Sequence, residues 1–227
     1  MYKALLGCFL FVLTSATAFG QASYKAGSIP QLNVNVKVAE NWKLNTKLEA
    51  RQIFREKQRE APLNQQLKYE RTDLSWVLTK KISADNTIGG GYLARLEDGQ
   101  FTHRLIQQFS NVKELEVFII AHRVVLDETF SDGSPPEFRL RYRFGGETPL
   151  SGQQIDPKEF YGKVNNEYLA LWSDKEADLE IRASLALGYN ATDDNKIELG
   201  LEYRVNGFSQ VVRSHQLWLT IGWFLSI

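Results

Sequence analysis

Cysteine is almost absent from this sequence, with one residue in 227, Cys8. Cys8 lies inside an apolar N-terminal stretch, and the chain beyond it can build neither a disulfide framework nor a thiol nucleophile. Long hydrophobic runs are missing as well. After the first twenty residues, no apolar run approaches the roughly 18 to 20 residues that a membrane-spanning helix needs. Any crossing of a membrane is therefore made by strands. An excess of charge of one sign is also lacking. Lys plus Arg and Asp plus Glu each total 27, so no global field draws nucleic acid, and no nucleic-acid partner is expected. Sustained 3.6-residue periodicity, metal-binding spacing and low-complexity tracts are absent too, and neither a cofactor nor a metal is expected.

What the sequence does contain begins with an export signal. Lys3 supplies positive charge, residues 4–13 are apolar, and residues 14–18 bring small side chains. Cleavage after Ala18 or Ala22 fits the pattern, so residues 1–22 are read as a signal peptide and residues 23–227 as a single barrel domain. Leu5, Leu6 and Gly7 before Cys8 superficially resemble a lipoprotein processing site, but too few apolar residues precede that cysteine.

From about residue 32 onward the dominant period is two, which sends alternate side chains to opposite faces of a strand. Leu179, Ile181, Ala183, Leu185, Leu187 and Tyr189 alternate with Glu180, Arg182, Ser184, Ala186 and Gly188. Ile197, Leu199, Leu201, Tyr203 and Val205 repeat this against Glu198, Gly200, Glu202 and Arg204, with Asp193 and Asp194 marking the turn between the two runs. Phe138, Leu140, Tyr142 and Phe144 oppose Arg139, Arg141 and Arg143. Eleven such runs can be counted. A wholly antiparallel closed barrel needs an even number, so the expected fold is all-β, an antiparallel up-and-down transmembrane barrel of twelve strands, with ten the next count.

Alternation alone also fits a soluble barrel with its apolar face inward. Three features favour the opposite sense. Several runs reach the roughly nine to eleven residues that cross a hydrocarbon core. Aromatics such as Trp42, Trp76, Tyr92, Tyr161, Trp172, Tyr189, Tyr203 and Trp223 fall near run ends, as interfacial girdles do. A ring of ten to twelve strands is also too wide for apolar side chains to fill readily. With the apolar faces outward, the lumen receives Lys43, Lys47, Glu49, Arg51, Arg71, Asp73, Arg104, Asp127, Arg139, Arg141, Arg143, Glu167, Glu180, Arg182, Glu198, Glu202 and Arg204. Both signs are present, so this interior can close by ion pairing or leave an arginine-lined path for anionic solutes.

The C-terminus carries the most local signal. Thr220, then Gly222, then apolar Leu225 and Ile227 resemble the assembly signal of outer-membrane barrels, which the barrel-assembly machinery can engage by strand addition. Together with Glu49 and Arg51, His103 and Arg104, the Arg139, Arg141 and Arg143 series before Pro149 and Leu150, Asn166 and Glu167, and Gly188 and Tyr189, the mature chain resembles the DUF2490 family of outer-membrane barrels of unknown function. The family pattern suggests glutamate and arginine where this chain has Asp127 and Thr129. The resemblance implies a barrel in outer-membrane lipid and no assigned activity.

Three functional readings follow: a structural barrel or narrow charge-lined pore in the outer membrane; a membrane-embedded enzyme acting on lipid or envelope polymer; and a soluble periplasmic ligand-binding barrel. For the enzyme, His215 near Ser209 and Ser214 could imitate a Ser/His pair. His103 and His122 read as interfacial or lumenal hydrogen-bonding residues, and no residue is assigned a catalytic role.

Overall fold

Side chains that alternate in polarity over a dozen residues leave a strand two faces of opposite character, and a closed ring of strands can give each face its own medium. The computed structural model describes residues 23–57, 63–174, 176–210 and 213–227. The signal peptide read at residues 1–22, Cys8 included, lies outside them. The described residues form eleven strands: β1 (Ser23–Ala39), β2 (Trp42–Lys57), β3 (Lys68–Lys81), β4 (Asn86–Glu97), β5 (Gln100–Glu114), β6 (Ile119–Ser131), β7 (Glu137–Pro149), β8 (Glu159–Ser173), β9 (Glu176–Thr192), β10 (Asn195–Asn206) and β11 (Ser214–Ser226). Each pairs antiparallel with its successor, and the ring closes between β1 and β11.

The strand count corrects the expected twelve or ten. With an odd number of up-and-down strands, the last runs in the same direction as the first, so the closing pair must be parallel. It is: Ser23 lies opposite Ser214, and the register holds through Asn35 opposite Ser226. The even count followed from assuming antiparallel pairing all the way round. Summed around the ring, the registers amount to a stagger of about fourteen residues, which tilts the strands by roughly 44° around a backbone radius of roughly 11 Å. Leu32 and Trp223 are register partners across the seam. Replacing both with cysteine is expected to give an oxidant-dependent disulfide joining the first and last strands, seen as a gel-mobility shift reversed by reductant. A ring closed at another register or strand count gives no such bond.

Several strands outrun the alternation that announced them. β1 begins at Ser23, although its period-two pattern is plain only from about residue 32, and β7 runs five residues past the Phe138–Phe144 alternation to Pro149, leaving residues 150–158 as its connection to β8. Residues 115–118 turn the chain between β5 and β6 within a stretch whose apolar residues continue from one strand into the next. Between β4 and β5 the chain reverses on Asp98 (φ 50) and Gly99 (φ 78), both left-handed, which is the tight hairpin turn that an Asp-Gly pair favours.

The polarity of the barrel is inverted relative to a soluble core. Large apolar residues stand exposed on the outside, Leu185 at 63%, Leu199 at 54%, Val164 at 51% and Trp223 at 48%. Inside, Asp127, Arg104, Glu167 and Arg204 are buried. Two small apolar clusters share that interior, Ile29, Ile53 and Trp218, and Val77, Ile106 and Val125. One rim, where β1 starts, is called the N-terminal rim; β11 ends at the opposite, C-terminal rim.

Candidate functional site: an interior belt of ion pairs

The alternation of each strand sets which charges face inward, and the registers then bring them into pairs. On β2, Glu49 accepts from Lys47 Nζ at 2.6 Å and from Arg51 Nη2 at 2.8 Å. Arg95 of β4 grips Asp73 of β3 through two bonds of 2.8 Å, the fork geometry that favours arginine over lysine. Arg71 reaches Glu97 at 3.4 Å. Asp127 of β6 receives both Arg139 (3.2 Å) and Arg141 (2.7 Å) from β7. Glu167 of β8 lies between Arg143 (2.7 Å) and Arg182 of β9 (3.0 Å). Arg182 also pairs with Glu180, and Arg204 with Glu202. Arg104 Nε donates to Thr129 Oγ1 at 2.9 Å. Nearer the C-terminal rim, Glu198 accepts from the Tyr161 hydroxyl (2.8 Å) and from Lys163 (2.9 Å), and Lys163 also meets Glu147 at 2.9 Å.

Every charged residue read from the sequence as lumenal therefore lies on the inner face. Most belong to a transverse belt in which Glu49, Arg51, Asp73, Arg104, Asp127, Arg139, Glu167 and Arg204 are all buried. Trp218 of β11 completes the belt. It is 0% exposed, and the guanidinium carbons of Arg51 and Arg204 each lie 5.7 Å from its ring centroid. A Cβ on Gly27 would come within 2.7 Å of that ring, so a glycine there leaves the space that the indole fills.

The interior also holds residues that the sequence reading did not assign to the lumen: Arg95 and Trp218 in the belt, and Arg123, Lys163, Glu147 and Tyr161 nearer the C-terminal rim. In β4 the inward set includes Leu93 and the outward set includes Gly90, so polarity blurs around Arg95. Arg123 lies in β6, where Val124 and Val125 stand on both faces and blur the alternation. Tyr161 was grouped with the interfacial aromatics, but it is 1% exposed and points inward. Trp218 has the parity of its polar neighbours Gln216 and Thr220, and parity alone would have placed it inside.

The histidines face outward and pair with tyrosines on neighbouring strands. His103 bonds Tyr92, His122 bonds the Tyr142 hydroxyl at 2.8 Å, and His215 Nδ1 bonds the Tyr203 hydroxyl at 2.6 Å. Ser209 Oγ instead donates to Asp178 at 3.2 Å. The nucleophile and base imagined at Ser209 and His215 are thus each engaged elsewhere. Among the described residues no group of three or more His, Cys, Asp or Glu side chains is placed to hold a metal ion.

At the C-terminus, Thr220 and Gly222 face inward and Leu225 faces outward. Ile227 is tied to β1 by its amide to Asn35 O (2.8 Å) and its carbonyl to Lys37 N (2.9 Å).

These features define a closed β-barrel with an apolar outer wall and an interior held by ion pairs. Within that class, the chain belongs to DUF2490, a family of proteins of unknown function, whose model matches residues 28–214. No curated protein and no solved structure matches it. Residues that carried the family resemblance in the sequence, among them Glu49, Arg51, Arg104, Arg139, Arg141, Arg143 and Glu167, supply much of the belt.

Proposed function

We propose that this protein is an outer-membrane β-barrel with a structural role, closed at mid-height by its ion-pair belt. The observation that carries this reading is the inverted polarity of the wall. Leucine, isoleucine, valine and aromatic side chains stand exposed around the outside, while charged side chains are buried within. Hydrocarbon around the barrel would remove the cost of that exposed apolar surface, and a closed ring of strands pairs its backbone groups between neighbours without water. Strands of 12 to 17 residues are long enough to cross at the observed tilt. The partners this implies are outer-membrane lipid and, during biogenesis, the barrel-assembly machinery acting on the strand that carries Thr220, Gly222, Leu225 and Ile227.

The soluble ligand-binding reading fits poorly, because it needs an apolar interior cavity where this barrel has arginines and carboxylates. An enzyme needs a free nucleophile and base, and Ser209 and His215 are not arranged as such a pair. Closure is favoured over conduction because the belt is compact and Trp218 occupies the interior beside it.

Fractionation, followed by gel migration with and without heating, tests the membrane reading. Recovery in the outer membrane with a heat-dependent shift is expected; recovery as soluble periplasmic protein overturns it. Planar-bilayer recordings test closure. The wild-type barrel is expected to show no steady conductance, while Trp218→Ala, which removes the indole between Arg51 and Arg204, is expected to introduce step-like currents. Stable wild-type channels would make the narrow pore the better reading.

A further inference from the structure

Most guanidinium groups in the barrel meet a carboxylate. Arg123 does not: among the described residues it makes no ion pair and no hydrogen bond. The register of β6 and β7 places it directly opposite Arg143, with Ser110 of β5 on its other side. Like charges directly opposite each other on paired strands are destabilising. The one carboxylate beside Arg143, Glu167, is already shared with Arg182. Arg141, next along the same face of β7, shares Asp127 with Arg139. Positive charge is therefore in local excess.

Space accompanies this excess. Arg123 is exposed and Arg143 keeps 34% of its side-chain surface, although both point inward, so they border the open part of the lumen beyond the belt. The next inner-face pair toward the C-terminal rim is Ala121 opposite Gly145. Ala121 adds only a methyl group beside Arg123, and the Asn165 amide covers Gly145, so the opening over the two guanidinium groups is bounded by short and polar side chains. Asn165, opposite Gly145, and Ser110 add neutral polar groups at its edge.

We propose that Arg123 and Arg143 form a binding site for a small oxyanion, a phosphate or carboxylate group of a solute entering from the C-terminal rim. Two adjacent guanidinium forks can offer four or more donors to one such group, and the anion supplies the countercharge that the cross-strand pair lacks. The site rests on the reading of this lumen as a polar interior behind a membrane-facing wall. It adds to that reading a ligand class and the end of the barrel from which the ligand arrives.

The test uses the full barrel in detergent, with heat-shifted migration as the check that it is folded, titrated calorimetrically with inorganic phosphate and, separately, acetate. Saturable phosphate binding is expected, weakened about tenfold in Arg123→Gln by loss of charge-assisted hydrogen bonds and unchanged in Arg55→Gln at the opposite rim. Arg123→Lys, which keeps the charge but not the fork, is expected to bind with intermediate affinity. Wild-type protein that is folded and heat-modifiable but binds neither anion overturns the site while leaving the membrane barrel standing. Equal affinity in wild type and Arg123→Gln overturns it equally. Wild-type protein without a heat-shifted form counts against the membrane reading instead.

Discussion

Asp127→Ala is expected to destabilise the barrel by about 3 to 5 kcal/mol, among the largest effects of any single truncation in the interior. Asp127 is 0% exposed and is the carboxylate that Arg139 and Arg141 share. Ion pairs buried in this way contribute modestly compared with an apolar packing of the same shape, because desolvation offsets much of the attraction. Removing one partner is different, since it strands the others. Here two guanidinium groups would remain side by side with only Glu137, 3.5 Å from Arg139, as countercharge and with Arg104 close on the neighbouring strand. Asp127→Asn keeps the volume and some hydrogen bonding but loses the charge, and should fall between wild type and Asp127→Ala. The measurement is the denaturant midpoint of the detergent-folded barrel, followed by tryptophan fluorescence and by loss of the heat-shifted band. A midpoint for Asp127→Ala within experimental error of wild type would mean that the belt is hydrated enough to screen its own charges.

Strand identity and facing were legible in the sequence for a simple reason. Parity is preserved along a strand, so a single stretch such as Glu198, Gly200, Glu202 and Arg204 fixes the inner face of β10 before any partner is known. The same parity placed Arg139, Arg141 and Arg143 together and sent Glu167 and Arg182 inward. Pairing is another matter. That Glu167 bridges Arg143 and Arg182 follows from the registers of three adjacent strands, and that Asp127 serves two arginines from the register of β6 and β7; such registers depend on turn lengths and bulges such as the shift between Arg51 and Gln52. The closing seam was illegible for a related reason: its parallel sense depends on the total number of strands, and no local pattern in β1 or β11 reports it. Interior aromatics form the third gap. Tyr161 and Trp218 share the parity of inward polar residues, but only the glycines opposite them, Gly188 and Gly27, show how the interior accommodates rings of that size.

Gly188→Val is expected to prevent recovery of most of the heat-modifiable form, and the reason lies across the strand pair. Gly188 of β9 is the register partner of Tyr161 of β8, whose ring lies flat over the glycine. A Cβ built at residue 188 would stand 2.1 to 2.5 Å from three of the ring atoms, closer than side chains approach one another. The ring has little freedom to yield: its hydroxyl donates to Glu198 at 2.8 Å, and the ammonium of Lys196 sits 5.7 Å from its centroid. Valine must therefore expel the tyrosine or push β8 and β9 apart, at a cost of about 3 kcal/mol or more, and alanine should act in the same direction with a smaller effect. Tyr161→Ala alone should also destabilise, by leaving a void and removing one of the two donors to the Glu198 carboxylate. The informative case is the double variant Gly188→Ala with Tyr161→Ala. If the clash is the mechanism, adding Gly188→Ala to a barrel that already lacks the ring should cost almost nothing further, giving strong non-additivity in denaturant midpoints. Additive losses would instead locate the sensitivity of Gly188 in its own backbone. In the first case, the Gly188 and Tyr189 pair that stood out in the sequence owes its glycine to a tyrosine 27 residues upstream, at position 161.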